Sequence, residues 1–139
     1  MCMAERVLLS IEDDDAEYFI ITIALKELDT PVRFFRVPDG EQGIWFLEKS
    51  HGNELSPRPD LILLNLNLPR KDGFEVLTEI RDRETLRSIP VIIFTTSSDI
   101  TEKKRAIALG AADFISKPGS LTGLIETLRT VCTRYLASE

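Results

Sequence analysis

The chain has 139 residues, of which 43% are hydrophobic, and it carries a formal net charge of −6. This length predicts a single domain over residues 1–139, with a core from about residue 5 to residue 136, and the hydrophobic content excludes a disordered chain. The negative charge argues against binding to nucleic acid, which requires a basic face, and the apolar runs are much shorter than the roughly 18 residues that a membrane helix needs.

Five short apolar segments are each followed by a segment whose apolar residues have helical spacing. The predicted strands are residues 6–11, 31–37, 61–64, 91–95 and 112–116. The predicted helices are residues 16–28, 42–48, 72–83, 100–109 and 120–136. Asp15 is a candidate cap for the first helix, and Gly110 is a C-terminal signal for the fourth. This strict alternation predicts a parallel sheet with helices on both of its faces.

Polar residues follow four of the predicted strands. In an open α/β sheet, chemistry collects at the carboxyl ends of the strands. Adjacent carboxylates favour a hard divalent cation such as Mg²⁺, and a hydroxyl and an ammonium aimed at the same point would bind phosphoryl oxygens. The residues concerned are Glu12, Asp13 and Asp14 after the first strand, Asn65 after the third, Thr95 at the end of the fourth and Lys117 after the fifth.

Asn65 decides which chemistry this edge can perform. A carboxylate in its place would be able to attack a phosphoryl group and form an aspartyl-phosphate. The neutral amide of asparagine is a very poor nucleophile, so the side chain that is present does not support that reaction.

Four sequence motifs resemble those of response regulator receiver domains, in particular the chemotaxis-type single-domain kind. They occur in the family's order with similar spacing and cover nearly the whole chain. The turn after Asn65 and the loop before Asp60 are also similar to those of the small regulators that partner bacterial phytochrome kinases. The motifs are residues 11–14, 66–73, 90–97 and 110–118.

The resemblance implies a doubly wound, flavodoxin-like fold with five parallel strands in the order 2-1-3-4-5. It implies a stand-alone receiver in a two-component phosphorelay, which is a signalling protein rather than an enzyme. Its implied partners are a sensor histidine kinase, of the phytochrome type in the more specific interpretation, or a phosphotransfer protein, and a downstream protein target. A homodimer through the surface of the fourth and fifth helices is compatible with the sequence. With two distant cysteines, Cys2 and Cys132, and no secretory signal, we expect a cytoplasmic protein.

The resemblance also implies roles for individual residues. Mg²⁺ would be held by two acids and one backbone carbonyl. A hydroxyl and an aromatic ring would form a switch that remodels the partner-binding surface, and an ammonium would bind phosphate. The implied metal ligands are Glu12, Asp13 and the carbonyl of Asn67, the switch residues are Thr95 and Phe114, and the phosphate-binding residue is Lys117.

Asn65 departs from this family pattern because it occupies the phosphoacceptor position itself. Its neutral side chain should weaken Mg²⁺ binding and remove the covalent trigger of the switch. Two explanations remain open: a natural pseudo-receiver that works by binding alone, or an engineered Asp-to-Asn form of a receiver that is otherwise phosphorylated by a kinase. The complete set of residues around position 65 favours the second explanation, or a recent loss of the aspartate, because Thr95 and Lys117 have little use without phosphate. Phosphorylation of Asp13 or Asp14 instead is a further alternative.

Several residues have simpler interpretations. The acidic turn after the first strand would serve as a solvated helix cap, and Phe114 would simply be packed. Trp45 and Phe46 are expected to pack the second helix on the sheet, and Cys132 to be a buried small hydrophobe. His51, in a polar loop, is expected to be exposed, and the Lys117–Pro118 bond is a candidate cis peptide. A flavin or nucleotide binder would need a glycine-rich or Ser/Thr-rich loop after the first strand, where this chain has acids.

Overall fold

A computed structural model describes residues 5–50 and 56–136 and contains five strands and five helices in strict alternation. The five strands form one parallel sheet in the order β2-β1-β3-β4-β5, as the family resemblance implied. The elements are β1 (Arg6–Ile11), α1 (Asp15–Leu25), β2 (Val32–Val37), α2 (Gly40–Glu48), β3 (Leu61–Leu64), α3 (Gly73–Asp82), β4 (Val91–Thr95), α4 (Ile100–Ala108), β5 (Asp113–Ser116) and α5 (Leu121–Leu136).

The strands are long apolar runs because the sheet is covered on both faces. Every residue of β3 and β4 is buried, and so is all of β1 after its first residue. The edge strand β2 is half-buried along its whole length. One core cluster lies on each face of the sheet, with α2, α3 and part of α4 on one side and α1 and α5 on the other. This arrangement leaves the carboxyl ends of the central strands as the place where polar side chains meet.

Aspartates cap the N-terminal ends of four of the five described helices. Asp14, not Asp15, caps α1, because its side chain accepts from the amide of Ala16. Asp72 begins α3 with a capping box, in which it accepts from the amide of Glu75 and the Glu75 side chain accepts from the Asp72 amide. Such caps satisfy amides that the first turn of a helix leaves unpaired, so they fix where each loop ends.

The end of α4 agrees with the signal read from the sequence. Gly110 follows this helix with φ 102°, a left-handed conformation that glycine adopts without steric strain. The helix ends at Ala108, one residue earlier than predicted, and α1 ends at Leu25 rather than at residue 28. The strand bounds differ from prediction by one residue at most.

The simpler expectations have mixed outcomes. Phe46 is buried against Phe35 of β2 as predicted, but the prediction for Trp45 was wrong, because its side chain is 60% exposed. Cys132 is fully buried, whereas His51 and Cys2 lie outside the described residues. All peptide bonds in the described ranges are trans, so the cis bond considered before Pro118 is not found. None of the helices in these ranges is long and apolar enough to cross a membrane.

Candidate functional site

The predicted polar residues do meet at the carboxyl edge of the sheet. Backbone hydrogen bonds extend the strand pairing into the loops: the amide of Asn65 donates to the carbonyl of Ile11, and the amide of Lys117 donates to the carbonyl of Thr95. These bonds hold the start of the loop after β3 beside the end of β1, and the start of the loop after β5 beside the end of β4. The edge therefore has a defined geometry that rests on the strand register.

Glu12 is the centre of the site. It is 3% exposed, and each of its carboxylate oxygens has a different partner. Oε1 lies 2.5 Å from Nζ of Lys117, and Oε2 accepts from Nδ2 of Asn65 at 2.9 Å. Oε2 also accepts from the backbone amide of Asp14 at 3.3 Å. One buried carboxylate thus links residues that follow three different strands.

Lys117 has a second carboxylate partner that the sequence analysis missed. Its Nζ lies 2.6 Å from Oε2 of Glu17, a residue in the first turn of α1 that is 4% exposed. The ammonium also lies 5.4 Å from the centre of the Phe94 ring, and the lysine side chain is only 11% exposed. We call Glu12, Lys117 and Glu17 the ion triad. Lys117 is therefore a site residue and not a surface lysine.

The protonation of the ion triad follows from burial and from the pairing. Burial opposes ionisation of Glu12, but the hydrogen bond and charge of Lys117 outweigh it and lower the pKa of Glu12. Burial likewise opposes the charge on Lys117, yet its two carboxylate partners raise the pKa of this lysine. For Glu17, burial and the nearby charge of Glu12 prevail over the contact with Lys117 and raise the pKa to about 7. The Glu12–Lys117 pair is thus the firmly ionised part of the triad.

The orientation of the Asn65 side chain is set by its neighbours. An ionised carboxylate can only accept hydrogen bonds, so the amide nitrogen of Asn65, and not its oxygen, faces Glu12. The same nitrogen lies 3.5 Å from the backbone carbonyl of Asn67. Asn65 thus acts as a hydrogen-bond donor towards the acidic loop, a role that an ionised aspartate cannot perform.

Thr95 and Phe114 lie on the paired strands β4 and β5, in different surroundings. Thr95 is fully buried at the end of β4, and its Oγ1 accepts from the amide of Ser97 at 3.2 Å. Phe114 is 7% exposed and belongs to the core cluster that also contains residues of α2 and α3. The structure therefore joins Thr95 to the site edge through its carbonyl, while Phe114 is packed in the core.

The expected metal ligands are engaged with nitrogen donors in this arrangement. Both oxygens of Glu12 accept from nitrogen donors, and the carbonyl of Asn67 faces the Asn65 amide. Asp13 is largely exposed, and its pKa is raised by partial desolvation of its carboxyl and by the hydrogen bond and charge of Glu12. Within residues 5–50 and 56–136, no three Asp, Glu, His or Cys side chains are grouped so as to hold a metal ion. A cation here would have to displace an amide and an ammonium.

Two further contacts fix the loops of the site. Arg36, at the end of β2, donates from Nε to the carbonyl of Glu12 at 2.8 Å and from its guanidinium to Asp15 at 2.6 Å. Gly73 has no room for a side chain, because a Cβ there would lie 2.4 Å from the carbonyl oxygen of Asn65. Sequence patterns gave no signal for Arg36, which lies in a strand that reads as apolar and basic.

Comparison with known proteins identifies this arrangement. The family model of the response regulator receiver domain matches residues 8–129. Response regulator Rcp1 of Synechocystis sp. is 34% identical over 131 residues, which is 94% of this chain and 89% of Rcp1. The probable methanogenesis regulatory protein FilR2 of Methanothrix harundinacea is 33% identical, over 94% of this chain and 83% of FilR2.

Solved structures agree with this assignment. The phosphorylated cyanobacterial phytochrome response regulator RcpA superposes with a TM-score of 0.89 at 33% identity, and the match covers 96% of both chains. The Mn²⁺-bound form of Rcp1 superposes with a TM-score of 0.82 at 34% identity, over 95% of both chains. These similarities include regulators associated with phytochromes, as the turn after Asn65 indicated. The chain belongs to the response regulator receiver domain family.

Proposed function

We propose that this receiver domain is not phosphorylated at position 65 and signals through contacts with other proteins. The observation that carries the proposal is the hydrogen bond from Nδ2 of Asn65 to Glu12. In the receiver family this strand end would carry the phosphoacceptor aspartate, and here the side chain is a neutral donor. An amide at this point has neither the charge nor the nucleophilicity for attack on a phosphoryl group.

We further propose that Mg²⁺ binding is weakened. The family resemblance assigns metal binding to the carbonyl of Asn67 and to the acids Glu12 and Asp13. Asn65 contributes no charge to them, and Lys117 already compensates Glu12. A hard cation gains most from several anionic oxygen ligands, so the loss of one carboxylate lowers its affinity for this edge.

The second candidate function is that of a receiver whose phosphorylation is blocked by this one side chain. The contact of Lys117 with Glu12 supports it, because the ammonium and the Asn65 amide bind the same carboxylate and a buried ammonium is suited to bind phosphoryl oxygens. The similar protein RcpA was solved in its phosphorylated form. In this case restoring a carboxylate at position 65 restores phosphoryl transfer.

A sensor histidine kinase, or a phosphotransfer protein, is the partner that the family assignment supports. Similarity to a cyanobacterial phytochrome response regulator favours a kinase of the phytochrome type. The surface of α4 is suited to a downstream protein or to a second copy of this chain. Ile100 and Ile107 are 60% and 45% exposed there, seven residues apart and so on one side of the helix.

Phosphoryl transfer from a small-molecule donor is the direct test. The unaltered chain, Asn65→Asp and Asn67→Asp would be incubated with Mg²⁺ and acetyl phosphate, and the intact mass of each recorded. We expect one added phosphoryl group on Asn65→Asp, and none on the other two chains. Asn67→Asp is the matched control, since it adds the same carboxylate two residues away at an exposed position.

Each alternative has its own outcome. Labelling of the unaltered chain would overturn the proposal and direct the search to Asp13 or Asp14. Labelling of Asn65→Asp alone would establish a complete site that lacks only the nucleophile. Absence of labelling in all three chains would refute the second candidate and leave a binding module as the function.

A further inference from the structure

The position of Glu17 is unusual for an acidic residue. Acids in the first turn of a helix are favoured by the helix dipole and normally extend into solvent. Glu17 instead is 4% exposed, and its carboxylate lies 2.6 Å from the ammonium of Lys117. A carboxylate is buried at a large desolvation cost, so its pairing with this ammonium requires an explanation.

We propose that Glu17 is a positioning residue of the site, which holds the Lys117 ammonium in the ion triad and thereby keeps it from binding a phosphoryl group at position 65. This inference concerns the same edge as the proposed function and rests on it. It assigns to Glu17 a restraint on Lys117 that adds to the one from Glu12.

The number of hydrogen-bond donors supports this role. An ammonium has three donors, and here two of them are directed at Glu12 and Glu17, at 2.5 and 2.6 Å. With 89% of the Lys117 side chain removed from solvent, water cannot readily replace a partner that is lost. A phosphoryl oxygen near Asn65 must therefore compete with the two buried carboxyl groups for this ammonium.

Asp15 provides a matched control. It is an acid in the same turn of α1, its side chain is 88% exposed, and it pairs with Arg36 rather than with Lys117. Asp15→Asn removes one negative charge near the site but leaves both carboxylate contacts of Lys117 and the bond from Arg36 Nε to the Glu12 carbonyl in place. A difference between Glu17→Gln and Asp15→Asn therefore reports the contact with Lys117 and not the net charge.

The test measures the accessibility of the Lys117 amine in the unaltered chain and in both variants. Trace acetylation with acetic anhydride, followed by peptide mass spectrometry, gives the reactivity of each lysine relative to the exposed Lys103. We expect Glu17→Gln to raise the relative reactivity of Lys117 by about tenfold, as for one lost charge-assisted hydrogen bond, and Asp15→Asn to leave it unchanged. Lys71, which is paired with Glu79 at 2.5 Å, is the internal reference for general loosening of the fold.

The outcomes separate the possibilities. Unchanged reactivity of Lys117 in Glu17→Gln would overturn the proposal. An equal rise for Lys71 and Lys117 would also overturn it, because the substitution would then have loosened the whole domain. A rise at Lys117 alone supports the restraint, whether or not position 65 is a phosphoacceptor.

A second measurement tests the consequence for anion binding. In the Asn65→Asp background, Glu17→Gln should accelerate phosphorylation by acetyl phosphate several-fold, while Asp15→Asn should not. An equal or slower rate with Glu17→Gln would contradict the restraint. If Asn65→Asp takes up no phosphoryl group at all, the proposal of a blocked phosphorylatable receiver fails, and the lysine reactivities still decide the role of Glu17.

Discussion

Replacing Asn65 by aspartate should destabilise the folded chain when no metal is present. In the unaltered chain, Nδ2 of Asn65 donates to Oε2 of Glu12 at 2.9 Å. Aspartate has no donor at that atom and places a second carboxylate against a buried one. The nearby ammonium of Lys117 is already shared between Glu12 and Glu17, so it compensates the added charge only in part.

The size of the effect follows from these contacts. Loss of a charge-assisted hydrogen bond costs about 1.5–3 kcal/mol. Two carboxylate charges about 4 Å apart repel each other by roughly 4 kcal/mol at an effective dielectric constant of about 20. Because Asn65 is half-buried, rotation of the new side chain towards solvent relieves most of that repulsion. We therefore expect a net loss of about 2–3 kcal/mol of unfolding free energy, or roughly 7–10 °C in Tm for a chain of this length.

Thermal unfolding in buffer containing EDTA measures this loss, and repeating it with Mg²⁺ measures what the cation restores. A cation at about one hundred times its Kd stabilises a folded protein by about 2.7 kcal/mol, so saturating Mg²⁺ should return most of the lost stability to Asn65→Asp. Mg²⁺ should stabilise the unaltered chain much less, because the amide nitrogen of Asn65 already contacts Glu12 and the Asn67 carbonyl.

Asn67→Asp is again the control, since it adds a charge at an exposed position and should change Tm little. The reasoning would be refuted if Asn65→Asp were as stable as the unaltered chain in EDTA. It would also be refuted if Mg²⁺ stabilised both chains equally, because the cation would then not depend on a carboxylate at position 65.

Three further predictions concern stability and reactivity. The free energy of unfolding should fall as the pH rises from about 4.5 to about 7. With its raised pKa, Glu17 binds more protons in the folded state than in the unfolded state over this range. Urea titrations should show a smaller fall for Glu17→Gln. Ile80→Ala should cost about 2–5 kcal/mol in the same assay because Ile80 is fully buried, whereas Ile100→Ala, at a 60% exposed position, should change stability by less than about 0.5 kcal/mol. Cys132 is buried, and burial raises the pKa of its thiol to about 12. In a Cys2→Ser chain this thiol should therefore react with a disulfide reagent only at the rate of unfolding. Rapid labelling under native conditions would contradict this prediction.

The fold could be predicted because its elements have strong local signals. The apolar runs at β3 and β4 have no polar residue inside them, which is expected of strands covered on both faces. Strict alternation of strands and helices then leaves few topologies. The first residue of a helix is harder to predict where two neighbouring residues can each cap it. Asp14 and Asp15 are adjacent acids, and only the observed bond to the amide of Ala16 distinguishes them.

Trp45 was predicted to pack on the sheet but is exposed, and the geometry of α2 explains why. Adjacent residues on a helix point about 100° apart, so a helix that packs residues 40, 43, 44 and 47 against the sheet turns Trp45 to the opposite side. The buried residues of α2 are Gly40, Gly43, Ile44, Phe46 and Leu47, whereas Trp45 is 60% exposed. A large aromatic residue is a good candidate for burial, but in α2 the position of Phe46 is buried and that of Trp45 is not.

The site was only partly readable from the sequence. Glu12, Asn65 and Lys117 could be predicted to meet because each follows a strand of one parallel sheet. Glu17 lies within a helix, where its sequence context is that of an ordinary solvated acid. Its contact with Lys117 depends on how α1 packs beside the loop after β5, which no local pattern encodes.

The contact between Glu12 and Lys117 spans 105 positions of the chain. During synthesis, the acidic turn after β1 emerges long before the strand that supplies its ammonium. Until β5 joins the sheet, Glu12 and Glu17 are two uncompensated carboxylates that favour water over burial. Completion of the ion triad is therefore a late event of folding, and an unfinished chain exposes both of its acids to water.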